Sequence, residues 1–233
     1  MFNQYGFFPF DPTMIILIPA IIFTLYAQSK VKSSFGKYLN VPTRRSYTGA
    51  QVARMLLDRN GLRDIPIEFA KGQLGDHYDP TKRVLRLSGE VYQGSSITST
   101  SVAAHEVGHA IQHSNGYIPL SLRNMVFPVA RFGSSAAWGF IMIGLLIPNL
   151  GGLMDIGIFL FGTAVVFQLI TLPVEFNASR RALEMLDDNG FIVDEEKRGV
   201  QNVLRAAALT YVAAMASGLA QLMRLILIRN RRR

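Results

Sequence analysis

The chain has 233 residues, of which 49% are hydrophobic and only 17% charged, below the roughly 25% charged residues of soluble domains. Its 24 Lys and Arg outnumber its 16 Asp and Glu, for a formal net charge of +8, but they gather beside apolar segments and form no nucleic-acid-binding motif. Nucleic acid is therefore not the expected partner, and the absence of cysteine excludes disulfides and thiolate ligands.

Taken in chain order, the first stretch without a charged residue is Pro12–Ser29, 18 residues with an apolar centre at Met14–Ala27. A hydrocarbon core of ~30 Å needs about 20 such residues in a helix. Aromatics and Asp11, not a basic region, precede it, so residues 12–29 are expected to be a retained anchor and not a cleaved signal. Lys30, Lys32, Lys37, Arg44 and Arg45 follow, whereas the first eleven residues contain no Lys or Arg. The positive-inside tendency then puts the N-terminus outside and residues 30–131 in the cytoplasm.

Within that region Val52, Met55 and Leu56 recur at helical spacing, predicting a helix over Thr48–Arg59 that stops at Asn60-Gly61. The apolar residues of Ile65–Ala70 and Arg83–Ser88 predict two short strands with an Asp79-Pro80 turn between them. The second of these, Arg83–Ser88, is a candidate edge for pairing with an extended peptide. Ser95–Ser101 supplies N-caps to a helix that runs through His105 to about His113.

Two further charge-free stretches, Phe132–Met154 (23 residues) and Ile156–Val174 (19 residues), are separated by Pro148–Gly152 and Asp155. With no basic residue in the turn, residues 132–174 are expected to form a transmembrane hairpin that leaves the cytoplasm and returns, bringing Glu175 out on the cytoplasmic side. Residues 175–205 are expected to be a cytoplasmic helical region with a turn at Asp188-Asn189-Gly190. The Ala-rich stretch Ala206–Met223 adds a fourth hydrophobic helix over 206–228, spanning or interfacial. If it spans, the basic tail 229–233 lies outside, against the positive-inside tendency. The chain is thus a mainly α membrane protein with three to four transmembrane helices, in contact with membrane lipid.

The chemistry-bearing motif is HEVGH, His105 to His109. Histidines at i and i+4 project from one helical face and can share a tetrahedral metal, with one position left for water. Glu106 flanks that position as catalytic base: it takes a proton from the water and passes it to the leaving amine. Small and apolar neighbours (Val102, Ala103, Ala104, Val107, Gly108, Ala110, Ile111) allow the helix to be buried, so its polar side chains need partners. One catalytic Zn2+ is the expected cofactor and a peptide or protein the expected substrate.

A third ligand is required. A histidine six positions after His109 is ruled out by Asn115. His113 lies one turn on, but three successive i, i+4 histidines on a straight helix cannot all converge on one ion. His77 in Gly75–Pro80 could fold over from a loop. Glu175, on the same side of the membrane as His105, is the best placed. His113, His77, Tyr78 and Arg180 are retained as second-sphere or substrate candidates, with the Tyr78 phenol a candidate oxyanion donor.

At these residues the chain resembles the YugP-type membrane zinc metallopeptidases and, more widely, HtpX-type membrane proteases. The shared features are the N-terminal anchor, DHYDP (Asp76–Pro80), HEVGHAIQH (His105–His113), the hairpin and a downstream E-F-x-A element. The resemblance implies a small α+β zincin-like metallopeptidase domain, Glu175 as third zinc ligand and proteolysis of membrane-associated or misfolded proteins. It also implies an Asp four residues after that Glu, where this chain has Ser179. The expected setting is the plasma membrane, with the catalytic domain facing the cytoplasm.

Three other readings compete. A site-2-type intramembrane protease would use LMDIG (Leu153–Gly157) as its Asp-bearing partner. The Ser/Thr-rich approach to His105 and the polar Gln112–Asn115 are, however, too polar for a span. A non-catalytic metal-binding membrane scaffold would have no need of Glu106. A transporter would need more polar residues within its spans.

Overall fold

The computed structural model describes residues 12–70 and 75–231. The N-terminal eleven residues, expected outside the cytoplasm, and Arg232 and Arg233 of the basic tail lie outside that set. In chain order the elements are α1 (Leu17–Leu39), α2 (Gly49–Arg59), β1 (Ile67–Phe69), β2 (His77–Asp79), β3 (Val84–Leu87), α3 (Gly89–Tyr92), α4 (Ile97–Ser114), α5 (Ile118–Leu146), α6 (Gly151–Asp188) and α7 (Asp194–Asn230). They divide into two compact units: one runs up to Tyr26 and takes in Val126–Leu169 and everything from Ala213, and the other comprises Ala27–Met125 and Ile170–Val212.

Four helices, Pro12–Leu39, Ile118–Leu146, Gly151–Asp188 and Asp194–Asn230, are long and apolar enough to cross a membrane. In the first unit α5 and α6 approach closely enough that a Cβ on Gly144 would fall 2.5 Å from the Met154 nitrogen. Small residues at helix crossings serve association in lipid, where burial of apolar surface from water no longer drives it. The Thr24 and Ser217 hydroxyls are hydrogen-bonded at 2.9 Å, and Arg224 Nε donates to Thr13 Oγ1 at 3.3 Å. Arg229 grips Asp155 with two 2.7 Å hydrogen bonds. Within this unit the C-terminal end of α7 therefore lies beside the turn between α5 and α6.

The second unit is built on α2, α4 and the sheet. The α2 helix starts with a capping box: Thr48 Oγ1 accepts from the Gln51 amide at 3.2 Å and the Thr48 amide donates to Gln51 Oε1 at 2.9 Å. Its Val52, Leu56 and Leu57 are fully buried with Leu85 and Leu87 of β3, Ala103 and Val107 of α4, and Leu186 and Val200. The polar start of α4 is also interior. Ser96 caps it by accepting from the Ser99 amide at 3.1 Å, while Thr100 and Ser101 donate back to the Ser96 and Ile97 carbonyls at 3.1 and 2.6 Å. Hydroxyls satisfied this way can be buried without an unpaired polar atom.

The sheet has the order β1-β3-β2, with β1 parallel to β3 (Ile67 opposite Leu85) and β2 antiparallel to it (Tyr78 opposite Leu85). The two expected strands are found, but the expectation that Arg83–Ser88 is an edge is corrected. β3 is paired on both sides, so its backbone has no free ladder for a peptide. The edge next to α4 is β2, a three-residue strand too short to show an alternating pattern in sequence. The Asp79-Pro80 turn joins β2 to β3, with Asp79 Oδ1 accepting from the Thr81 and Lys82 amides, both at 3.0 Å.

Candidate metal centre

The α4 helix presents His105, Glu106 and His109, and α6 presents Glu175 to the same spot. The two helices meet at Gly108, where a Cβ would lie 2.9 Å from the Ala178 carbonyl oxygen, so only glycine permits this approach. Glu175 Oε2 lies 3.3 Å from His105 Nε2 and 3.7 Å from His109 Nε2. One ligand atom from each residue falls within 4.8 Å of the others.

Glu175 is 2% exposed, and Oε2 is buried without a hydrogen bond of acceptable geometry. Donor atoms around a tetrahedral ion at about 2.0–2.2 Å are separated by roughly 3.3–3.6 Å. A buried carboxylate oxygen with no aligned donor, facing two imidazole nitrogens at 3.3 and 3.7 Å, close to that spacing, fits a zinc ion. Burial pulls the His109 imidazole down, but the nearby Glu175 carboxylate and the charge of Glu106 outweigh it and hold it above its usual value.

Each histidine is held from behind. His109 Nδ1 lies 3.0 Å from Gln112 Oε1, and Gln112 Nε2 donates to the Val174 carbonyl at 2.8 Å and to Asn177 Oδ1 at 2.9 Å. With Nδ1 protonated and donating to Gln112, the Nε2 lone pair of His109 faces the cluster. Arg181 Nε completes the chain by donating to Asn177 Oδ1 at 2.9 Å. His105 Nδ1 has Ser179 Oγ at 3.3 Å, so a hydroxyl occupies the place where the family resemblance implies a carboxylate.

Glu106 is 8% exposed, and its Oε2 accepts from the Tyr78 amide of β2 at 2.9 Å. The Tyr78 hydroxyl is 2.9 Å from His113 Nδ1, and burial pushes the phenol above its ordinary value, so it stays a neutral donor. His113 is therefore tied to Tyr78 and is not part of the cluster. His77 is exposed, with Nδ1 2.7 Å from the Gly75 carbonyl and Nε2 3.5 Å from Arg86, and is not part of it either. Arg180 is exposed and faces Glu184 at 3.4 Å. Asp155 of LMDIG is engaged by Arg229, and α4 is not one of the four helices apolar enough to span.

Three contributors were not foreseen from sequence. Gln112 and Gly108 sit within the HEVGHAIQH run, but nothing in a sequence states what a neighbouring helix brings to them. Tyr211 lies beside the Glu175 carboxylate and within the field of Glu106. As the lone phenol in the Ala-rich stretch Ala206–Met223, it was the one visible oddity there.

The family model described as "Putative neutral zinc metallopeptidase" matches residues 13–230. The chain is 51% identical over 215 residues to the Bacillus subtilis (strain 168) protein described as "Putative membrane protease YugP", covering 92% of this chain and 95% of that relative. No solved structure matches the chain. With the matched family spanning nearly the whole sequence, including every residue of the His105–His109–Glu175 cluster, the chain belongs to this neutral zinc metallopeptidase family.

Proposed function

We propose that the protein is a membrane-anchored zinc endopeptidase whose zincin-like site faces the cytoplasm and hydrolyses peptide bonds close to the bilayer. The observation that carries this reading is the convergence of His105, His109 and Glu175, with Glu106 beside them and no part in the cluster. When bound, zinc supplies a Lewis acid for the substrate carbonyl and lowers the pKa of water toward ~7.

The protein's own groups account for the rest. Glu106 accepts the proton of the attacking water and returns it to the leaving amine. The Tyr78 amide holds Oε2 of that carboxylate and leaves Oε1 for the water. Tyr211, beside Glu175, is the donor we assign to the carbonyl oxygen as it gains negative charge. His113 orients Tyr78. Because Glu175 ends 19 residues without a charge, the reacting groups sit where a span meets water. This favours membrane-associated polypeptides as substrates and lipid as a permanent neighbour. In this reading residues 12–29 anchor the chain, 30–131 and 175–205 supply the two parts of the site, and 132–174 and 206–228 hold them at the membrane.

Elemental analysis of the detergent-purified protein tests the assignment. Near-stoichiometric zinc in wild type and Glu106→Gln, lost in Glu175→Ala, with cleavage abolished in Glu106→Gln, is the expected pattern. Zinc retained by Glu175→Ala would remove Glu175 from the ligand set. Cleavage retained by Glu106→Gln would remove Glu106 as the base.

A further inference from the structure

Between α6 and α7, in the same unit as the metal cluster, lies a cavity of about 430 Å3. That is within the usual range for sites that enclose a small ligand or side chain. Its walls are apolar, with Phe176 and Leu183 from α6 facing Leu204, Ala208 and Leu209 from α7. One more wall residue, Ser179, has its hydroxyl 3.3 Å from His105 Nδ1, so the cavity begins one side chain behind a metal ligand. Phe176 directly follows Glu175 in the chain.

Charge is confined to the lining residues Arg180 and Arg205, and no Asp or Glu is among the residues that line it. Arg205 is exposed and has no ion pair among the described residues. Arg180 has only the exposed Glu184 at 3.4 Å, a contact that water weakens. An apolar recess with two available guanidinium groups complements a bulky apolar side chain with an acidic neighbour.

We propose that this cavity receives the substrate side chain adjoining the cleaved bond, selecting a large apolar residue, and that Arg205 and Arg180 select an acidic residue next to it. The proposal rests on the peptidase reading. Ala208 sets the size of the recess, because a larger residue there would fill the space facing Phe176. An anionic lipid headgroup would satisfy the same arginines. The apolar recess beside a metal ligand favours the substrate, since a headgroup would use the arginines alone.

The full chain, loaded with zinc in nanodiscs of neutral phosphatidylcholine, is titrated with fluorescent peptide hydroxamates. These differ at one side chain (Phe or Gly) and its neighbour (Glu or Lys), and anisotropy reads the binding. The Phe probe is expected to bind at least about tenfold tighter than the Gly probe, the scale on which apolar pockets discriminate. Ala208→Trp should bring that ratio close to one with zinc content unchanged. Arg205→Glu, an exposed change that does not test folding, should reverse the preference for Glu over Lys.

Equal binding of the Phe and Gly probes to wild type would overturn the proposal. So would an unchanged ratio in a zinc-loaded Ala208→Trp protein, or a neighbour preference indifferent to Arg205→Glu. Phosphatidylglycerol that is retained by wild type, lost in Arg205→Glu and without effect on the probe ratios would assign the arginines to lipid and also overturn it. Discriminating probe binding without cleavage of the matching peptides would retire the peptidase reading and keep the pocket. Cleavage blind to the side chain would retire the pocket alone.

Discussion

At Gly108 any Cβ would meet the Ala178 carbonyl at 2.9 Å, so α4 and α6 would have to separate and Glu175 would withdraw from the histidines. Gly108→Ala is expected to cost about 1–3 kcal/mol, as overpacking does. It should also weaken zinc binding, which thermal melting and chelator competition would register separately. Gln112→Ala removes the group that orients His109 and takes one donor from the Val174 carbonyl and from Asn177, which keeps that of Arg181. Loss of such a partner lowers metal affinity by about 10–100-fold, to be read as the chelator concentration that strips half the zinc. Ser179→Asp exchanges a neutral contact for a charge-assisted one; tighter zinc retention in the same assay is expected, and looser retention would mean that Ser179 does not orient His105.

Among the elements, α4 reconciles a polar beginning with a buried course. Its Ser96 cap and the back-bonded Thr100 and Ser101 turn a hydroxyl-rich stretch into an interior helix. Ser96→Ala is expected to lower stability by about 1 kcal/mol, seen as a reduced melting midpoint with the metal site intact. The helices were legible in sequence because their signals are local: Thr48 with Gln51, the Ser/Thr run before His105, and charge-free stretches of bilayer length. The sheet was legible only in part. Val84–Leu87 and Ile67–Phe69 carry clustered apolar residues, whereas His77–Asp79 is a strand through its pairing with β3. Its outward-facing Tyr78 amide is taken by Glu106 and is not offered to a substrate strand.

For the whole molecule, the cationic C-terminus looked out of place if the fourth hydrophobic helix spans. The bidentate hydrogen bonds between Arg229 and Asp155 give that charge a partner beside the turn of the hairpin. The pair is partly exposed, with side-chain exposures of 17% and 42%, so its contribution is about 1 kcal/mol or less. Asp155→Asn is accordingly expected to lower the unfolding midpoint in detergent slightly and to leave zinc content unchanged. Loss of zinc in that variant would mean that the hairpin end is coupled to the metal centre.

The sequence by itself determined the two histidines and the carboxylate between them, because i, i+4 spacing on one helix fixes which side chains share a face. It determined the apolar segments as well, since length and absence of charge are properties of a continuous stretch. The topology of the hairpin favoured Glu175, but its approach to His105 and His109 was a matter for the tertiary structure. So were the central position of β3, the hold of Gln112 on His109, the arrival of Tyr211 beside Glu175 and the meeting of Arg229 with Asp155. Apart from the Gln112–His109 contact and the strand pairing, these join residues dozens of positions apart. Such contacts arise from how helices cross, and at Gly108 a crossing depends on a single missing Cβ that no local pattern reveals.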